Sequence, residues 1–260
     1  MPEISYAGNH EDILLKRVFK DISEGFFIDV GAAHPTNGSV TKLLYDKGWS
    51  GLNIEPLPHF IDLLNRDRPR DINVACAVGA TDGGEVELFY GASAYGASFD
   101  GDGVKSRASE HTQIATVVAP IRSVDSLWKE LASKRTVDLL KIDVEGMELP
   151  ALQGCDLKAM SPTVIMVEAT QPYSSVQSHH DWEPLILACG YACALFDGVN
   201  RYYARPYNAT VLAELSIPAN VLDDFIPIAL ADARAEVEQL KRSLGEPTAS
   251  KRSLWSRKGM

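Results

Sequence analysis

Apolar positions along the chain fall into short strand-like runs that alternate with stretches of helical spacing. Phe26–Val30 (FFIDV) and Gly51–Glu55 (GLNIE) read as two strands. Between them Val40, Leu43 and Leu44 share one face of a helix over Ser39–Lys47, with Gly48 at the stop position. Ile72–Val78, Val137–Val144 and Pro162–Ala169 are three further strands, and the last two flank EGMELPALQG, a helix closed by Gly154. Strand and helix in repetition predict an α/β domain with a mostly parallel sheet covered on both faces. The runs YACALFDG and NRYYARP, divided by Asp197-Gly198, predict an antiparallel hairpin on the sheet edge. EVELFYG and QIATVVAPI form another pair around a Gly-rich stretch, GASAYGASFDGDGVKSRASEH, whose length marks a lid or binding loop.

The boundaries that follow are a helical cap over residues 1–22, the α/β domain over 23–207, a helical extension over 208–245 and a flexible basic tail over 246–260. In the extension Leu230, Ala233, Val237, Leu240 and Leu244 recur at spacings of three and four. That is the seam of a short coiled coil, or else the face of a helix packed on its own domain.

Composition narrows the classes. The 260 residues carry 25 Lys+Arg against 35 Asp+Glu, a net charge of −10, which argues against a general nucleic-acid binder. Cys76, Cys155, Cys189 and Cys193 form no C-x-x-C pair, so reduced thiols in a cytoplasmic protein are expected. The N-terminus lacks the pattern of a signal peptide, and no apolar run reaches the ~20 residues of a transmembrane segment.

The chemistry gathers at the ends of the strands. The first strand runs into Asp29-Val30-Gly31-Ala32-Ala33-His34-Pro35, with one glycine where a dinucleotide fingerprint has three. S-adenosylmethionine has no phosphate to cradle and presents an ammonium and a sulfonium, so an acid before a single tight-turn glycine suits it better than NAD. Glu55 ends the second strand, where a carboxylate accepts from a ribose diol in nucleoside-binding folds. Ala77 and Val78 offer an apolar wall for adenine. Asp143, Glu145 and Glu148 follow the fourth strand and Glu168 ends the fifth. Asp143 and Glu168 facing one crevice would suit Mg²⁺, and equally could stabilise the sulfonium, act as bases or cap helices. Tyr173, His179, His180 and Asp181 lie on the next loop, where a histidine could take a hydroxyl proton and Asp181 could cap a helix.

These residues together resemble the FkbM family of S-adenosylmethionine-dependent methyltransferases. The resemblance rests on SYAGNHEDILL, FFIDVGAAHPTNGSVT, LNIEP, IRSVDSL, VDLLKIDVEGMELPALQG, IMVEAT and GVNRYYARP, and KIDVEGMELPALQG is its most specific part. It implies a Rossmann-like methyltransferase fold, with a mostly parallel seven-stranded sheet, an antiparallel edge hairpin and helices on both faces. It also implies O-methylation, often of sugars in polyketides, glycolipids or cell-surface polysaccharides. On this chain it makes Asp29, Gly31 and Glu55 cofactor contacts, to which the loop and third strand add Ala32, Ala77 and Val78. Asp143, Glu145 and Glu168 fall at the reaction centre, with His179 and His180 as candidate bases. Ser5, Asn9, Glu11 and Asp12 match the family's N-terminal pattern and would fold over the cofactor or cap the first helix. The expected acceptor is a sugar or glycan, and the C-terminal helix would join copies of the chain or recruit a glycosyltransferase. The competing readings are a nucleotide-cofactor oxidoreductase and a non-catalytic cofactor-binding scaffold.

Overall fold

A computed structural model describes residues 2–91, 114–172 and 174–244. The Gly-rich stretch from Ala92 to Gln113, Tyr173 and the tail from Gly245 lie outside the described residues, with the expectations placed on them. The chain opens with β1 (Glu3–Ser5) and α1 (Glu11–Val18), then alternates β2 (Phe26–Val30), α2 (Lys42–Asp46), β3 (Ser50–Ile54), α3 (Pro58–Asp67) and β4 (Ile72–Val74). Next come β5 (Ala77–Val78), β6 (Glu85–Gly91), β7 (Ile114–Arg122), α4 (Val124–Leu131), β8 (Leu139–Ile142), α5 (Glu148–Gln153), α6 (Leu157–Met160) and β9 (Val164–Glu168). A 3₁₀ turn at His179–Asp181 precedes α7 (Glu183–Ala188), β10 (Ala192–Phe196), β11 (Asn200–Ala204), α8 (Ala209–Leu215), β12 (Phe225–Pro227) and α9 (Ile228–Ser243).

Seven strands form the main sheet in the order β10-β11-β9-β8-β2-β3-β4. All neighbours run parallel except β11, which lies antiparallel between β9 and β10. The expected hairpin is therefore at the edge, and its second strand is the one that docks, setting Asn200 opposite Glu168. Side chains of period two divide the core between the two faces. Phe26, Ile28, Val30, Leu140, Ile142, Ile165 and Val167 meet Val124, Leu127, Ala151, Leu152 and Ile186 on one face. Phe27, Leu139, Val164, Met166 and Tyr202 meet Leu14, Leu15, Leu44 and Leu215 on the other. Each such buried side chain contributes about 1.5–3 kcal/mol over exposure.

Several boundaries differ from expectation. The helix after β2 begins at Lys42, because Ser39 and Thr41 are drawn into side-chain bonds with Arg68 and Asp29. The strand expected over Ile72–Val78 divides: β4 edges the main sheet, while β5 pairs with β7 in a three-stranded sheet of order β5-β7-β6. The helix closed by Gly154 starts at Glu148, since Glu145 and Gly146 are left-handed (φ 52° and 99°). Gly48 does stop α2 with φ 102°. Gly154 instead has φ −85° and is needed for space, as a Cβ there would sit 2.2 Å from the Gly79 carbonyl oxygen.

The N- and C-terminal segments meet each other. β1 pairs in parallel with β12, and Arg17 donates to Asp223 at 2.9 Å. α1 and α8 share one cluster over the sheet, so both segments cover the same face of the α/β domain. α9 then runs on with no buried residue, leaving Leu230, Val237, Leu240 and Leu244 between 41% and 76% exposed. The seam is thus not packed on its own domain among the described residues. No described helix is long and apolar enough to cross a membrane.

Candidate active site

A cleft of about 990 Å³, counting its open mouth, lies at the carboxyl ends of β2, β3 and β8. Its floor is the turn after β2. Gly31 adopts φ +78°, and a Cβ there would come within 1.9 Å of the Asp143 carbonyl oxygen, so the position excludes every side chain. Ala33 and Gly38 are left-handed as well (φ 50° and 76°). The single-glycine loop therefore bends at three positions, one of them a strained alanine.

Three groups hold that loop in place. Arg68, 1% exposed, donates to the Pro35 carbonyl from Nε at 3.0 Å and Nη2 at 2.6 Å, and to Thr41 Oγ1 at 2.7 Å. His34 accepts from the Thr36 and Asn37 amides through Nδ1, both at 3.0 Å, and so is bound as the neutral imidazole. Burial pushes its pKa down, the direction this bonding requires. From outside, the Gly38 amide donates to the Tyr6 carbonyl at 2.9 Å. Asp12 organises this N-terminal strap by accepting from Ser5 Oγ at 2.8 Å and the Tyr6 amide at 2.6 Å. Glu11 accepts from the Asn9 amide and from Asn200 Nδ2 at 2.9 Å and 3.0 Å. Ser5, Asn9, Glu11 and Asp12 do not line the cleft; the N-cap of α1 is His10, and of the four only Asp12 accepts from a first-turn amide of that helix, Ile13 at 2.9 Å. They brace the loop that does.

Glu55 lines the cleft yet is only 4% exposed, and it accepts from the Ala33 and Leu57 amides at 2.9 Å each. Burial pushes its pKa up to about 7, against the pull of those two amides. Each oxygen keeps a second lone pair for a ligand hydroxyl. Ala77 and Val78 lie beside it as expected, joined by Cys76 and by Leu88 of β6. Gly31 and Ala32 also line the cleft.

Asp29 does not. Its side chain is 2% exposed beneath the floor, held by Lys141 Nζ at 3.0 Å and by Thr41 Oγ1 at 2.8 Å. Period two explains the correction: Val30 faces the opposite side, while Asp29 and its cross-strand partner Lys141 both point into the α1–α2 side. Lys141 itself lines the cleft and donates to the Gly31 carbonyl at 2.6 Å. Lys141 and Arg68 went unnoticed in the sequence. A lysine inside an apolar strand at the parity of Asp29 was the available signal for the first.

The other end of the cleft is acidic. Asp143 and Glu145 line it, Asp143 with its carboxylate 37% exposed and 3.6 Å from Lys141 Nζ. Glu148 turns away and accepts from the Val144 and Gly146 amides at 3.2 Å and 3.1 Å, pinning the left-handed turn that presents Glu145. Glu168, at the end of β9, has its pKa pushed far up by burial and by the charges of Asp143, Glu145 and Glu148. That shift favours its protonated form beside Asp143, and Glu168 itself is not among the residues lining the cleft.

Neither His179 nor His180 lines the cleft. His179 is buried on the edge of the core against Trp182, with Nε2 3.8 Å from Glu183, and His180 stacks on it from the exposed side. Asp181 makes no cap to α7, whose N-cap is Trp182. Among the described residues no group of three His, Cys, Asp or Glu side chains is placed to hold a metal ion.

The cleft suits S-adenosylmethionine in the chemistry of its lining. It has a glycine turn without the glycine-rich phosphate cradle, a buried acid with free lone pairs, and an apolar slot beside it. No curated protein matches the chain. A solved structure of a TehB-like SAM-dependent methyltransferase from Corynebacterium glutamicum shares 12% identity at a TM-score of 0.41, covering 75% of this chain and 86% of that one. A family model described as the methyltransferase FkbM domain matches residues 29–193. That span is well over half of the chain and contains the turn after β2, Glu55, Asp143 and Glu168, so the protein belongs to the FkbM family of S-adenosylmethionine-dependent methyltransferases.

Proposed function

We propose that the protein is an O-methyltransferase acting on a hydroxyl of a sugar or glycan, and that it works in the cytoplasm. The observation that carries the reading is the open Asp143 carboxylate at the acidic end of the cleft, beside a Glu168 whose pKa burial and neighbouring acids push up. Removing a hydroxyl proton during methyl transfer calls for a base within reach of the attacking oxygen, and Asp143 is the open one. The acid beside it relieves the repulsion two carboxylates would suffer. The sugar acceptor is supported by the resemblance in KIDVEGMELPALQG and the flanking motifs. The cytoplasmic setting is supported by four free cysteines.

In this reading Glu55 accepts from the ribose hydroxyls, and Cys76, Ala77, Val78 and Leu88 enclose the adenine. Gly31 and Ala32 pass close to the methionyl end. S-adenosylmethionine, when bound, supplies an electrophilic methyl group that needs no further activation. The acceptor oxygen forms the new C–O bond as the C–S bond breaks, the electron pair stays on sulfur, and the hydroxyl proton passes to Asp143. Orientation and exclusion of water are the larger part of what the protein adds. His179 packs at the edge of the core against Trp182, and His180 lies exposed on its outer side.

The test uses the purified full chain, methyl-labelled cofactor and a glycan extract from cells deleted for the gene. Label recovered as a sugar methyl ether supports the reading. Label found only on protein, lipid amine or nucleic acid overturns it.

A further inference from the structure

We propose that Lys141 is a positioning residue for methyl transfer, one ammonium that ties the cofactor loop and the carboxylate receiving the proton to the centre of the sheet. The inference rests on the reading of Asp143 as the base. Its ground is a three-point contact: Nζ lies 2.6 Å from the Gly31 carbonyl oxygen, 3.0 Å from Asp29 and 3.6 Å from Asp143. The first is a hydrogen bond and the other two are ion-pair contacts, and each partner belongs to a different part of the site. Gly31 is the cofactor turn, Asp143 the acceptor side, and Asp29 the paired residue of the adjacent strand.

A charge in this place is costly, which is why its contacts are informative. Lys141 is 4% exposed on a strand that otherwise reads Leu139, Leu140 and Ile142, all buried. Apolar residues in place of a buried ion pair are often neutral or stabilising, so the fold by itself has no need of the pair. Asp29 answers the cost in part, and the ammonium spends its hydrogen bond at the cleft, on the Gly31 carbonyl. Burial alone would lower the pKa of Lys141, but the carboxylates of Asp29 and Asp143 outweigh it and push it up, keeping the side chain charged. The charges facing this group are Asp29 from β2 with Arg68 behind it, Glu55 after β3 and Asp143 after β8, while Glu145 and Glu148 act with Asp143 on Glu168 at the end of β9.

Two consequences follow. The Gly31 carbonyl cannot turn toward the cleft while Nζ holds it, so the cofactor loop is set before ligand arrives. Asp143 faces the Lys141 ammonium from one side and acids from the other, so removing the cation should loosen the direction in which its carboxylate points.

The variant Lys141→Met alone strands Asp29 as a buried unpaired charge and is expected to unfold. The double variant Lys141→Met/Asp29→Asn removes both charges and is expected to melt cooperatively. It should bind S-adenosylhomocysteine about tenfold more weakly by calorimetry, from the loosened Gly31 carbonyl. Its kcat with glycan extract and labelled cofactor should fall about 10²-fold, the scale of a small misplacement. Asp29→Asn alone keeps the ammonium on Gly31 and Asp143, and so should hold affinity and kcat within a few-fold of the wild type. A double variant with wild-type affinity and kcat overturns the proposal. So does a loss of affinity and kcat as large in Asp29→Asn as in the double variant, since Lys141 would then act only through the fold. If the wild type labels no glycan, the acceptor reading fails, while weakened S-adenosylhomocysteine binding in the double variant would still place Lys141 on the cofactor loop.

Discussion

Glu55 makes cofactor binding depend on pH in a way that can be worked out from its surroundings. The carboxyl is 4% exposed and its pKa rises from 4.5 to about 7, with burial the largest cause. A raised carboxyl pKa means that the folded protein holds the proton more tightly than the unfolded chain. The stability this contributes is fully present below pH 4.5 and is lost as pH rises through about 7. At 1.36 kcal/mol per unit the span corresponds to about 3 kcal/mol. Ribose hydroxyls donating to Glu55 favour its ionised form, so binding should expel the proton. Below pH about 7 the affinity for S-adenosylhomocysteine should therefore fall about tenfold per unit, and above it should level off. Calorimetry at about pH 6 and about pH 8, in two buffers of different ionisation enthalpy, should find about one proton released at the lower pH and almost none at the higher. Glu55→Gln should bind about 1–3 kcal/mol more weakly and with no such dependence, which separates Glu55 from the other buried acids. Binding without proton release in the wild type, or the same pH dependence in Glu55→Gln, would refute the assignment of the ribose to this carboxyl.

Asp143→Asn and Glu168→Gln should each lower turnover about 10²–10⁴-fold while calorimetric affinity for S-adenosylhomocysteine stays within a few-fold, and near-normal turnover in both would place the chemistry elsewhere. Gly31→Ala should destabilise the fold by more than about 2 kcal/mol in urea titration, because its Cβ meets the Asp143 carbonyl, whereas Gly38→Ala, with open space and only φ +76° against it, should cost about 1–2 kcal/mol. If the seam on α9 joins copies of the chain, Leu240→Asp should lower the mass found by light scattering and leave methyl transfer intact, and a wild type that is already monomeric would refute that role.

The sequence alone determined the architecture wherever one physical signal decided it. FFIDV, LLKI and VIMVE are continuous apolar runs of strand length, and burial on both faces leaves such runs only the middle of a parallel sheet. Asp197-Gly198 marked the hairpin turn, and Glu55, Asp143 and Glu168 stand at the carboxyl ends of strands, where ligands bind in open α/β sheets, with Glu55 and Asp143 lining the cleft and Glu168 outside its lining. What tertiary structure decided was which way a side chain points and what meets it across a gap in sequence. Asp29 looked like a cofactor contact from its place before Gly31, but its parity sends it under the floor to Lys141, more than a hundred residues away. His179 and His180 have suitable chemistry, and packing against Trp182 and Glu183 takes them out of the cleft. Arg68 gave no local sign, because its purpose is the carbonyl of Pro35 and the hydroxyls of Ser39 and Thr41, which only the folded chain brings to it. Local pattern follows from the period of a strand or helix and is written in neighbouring residues. The pairing of a buried charge is set by long-range register, which no local pattern records.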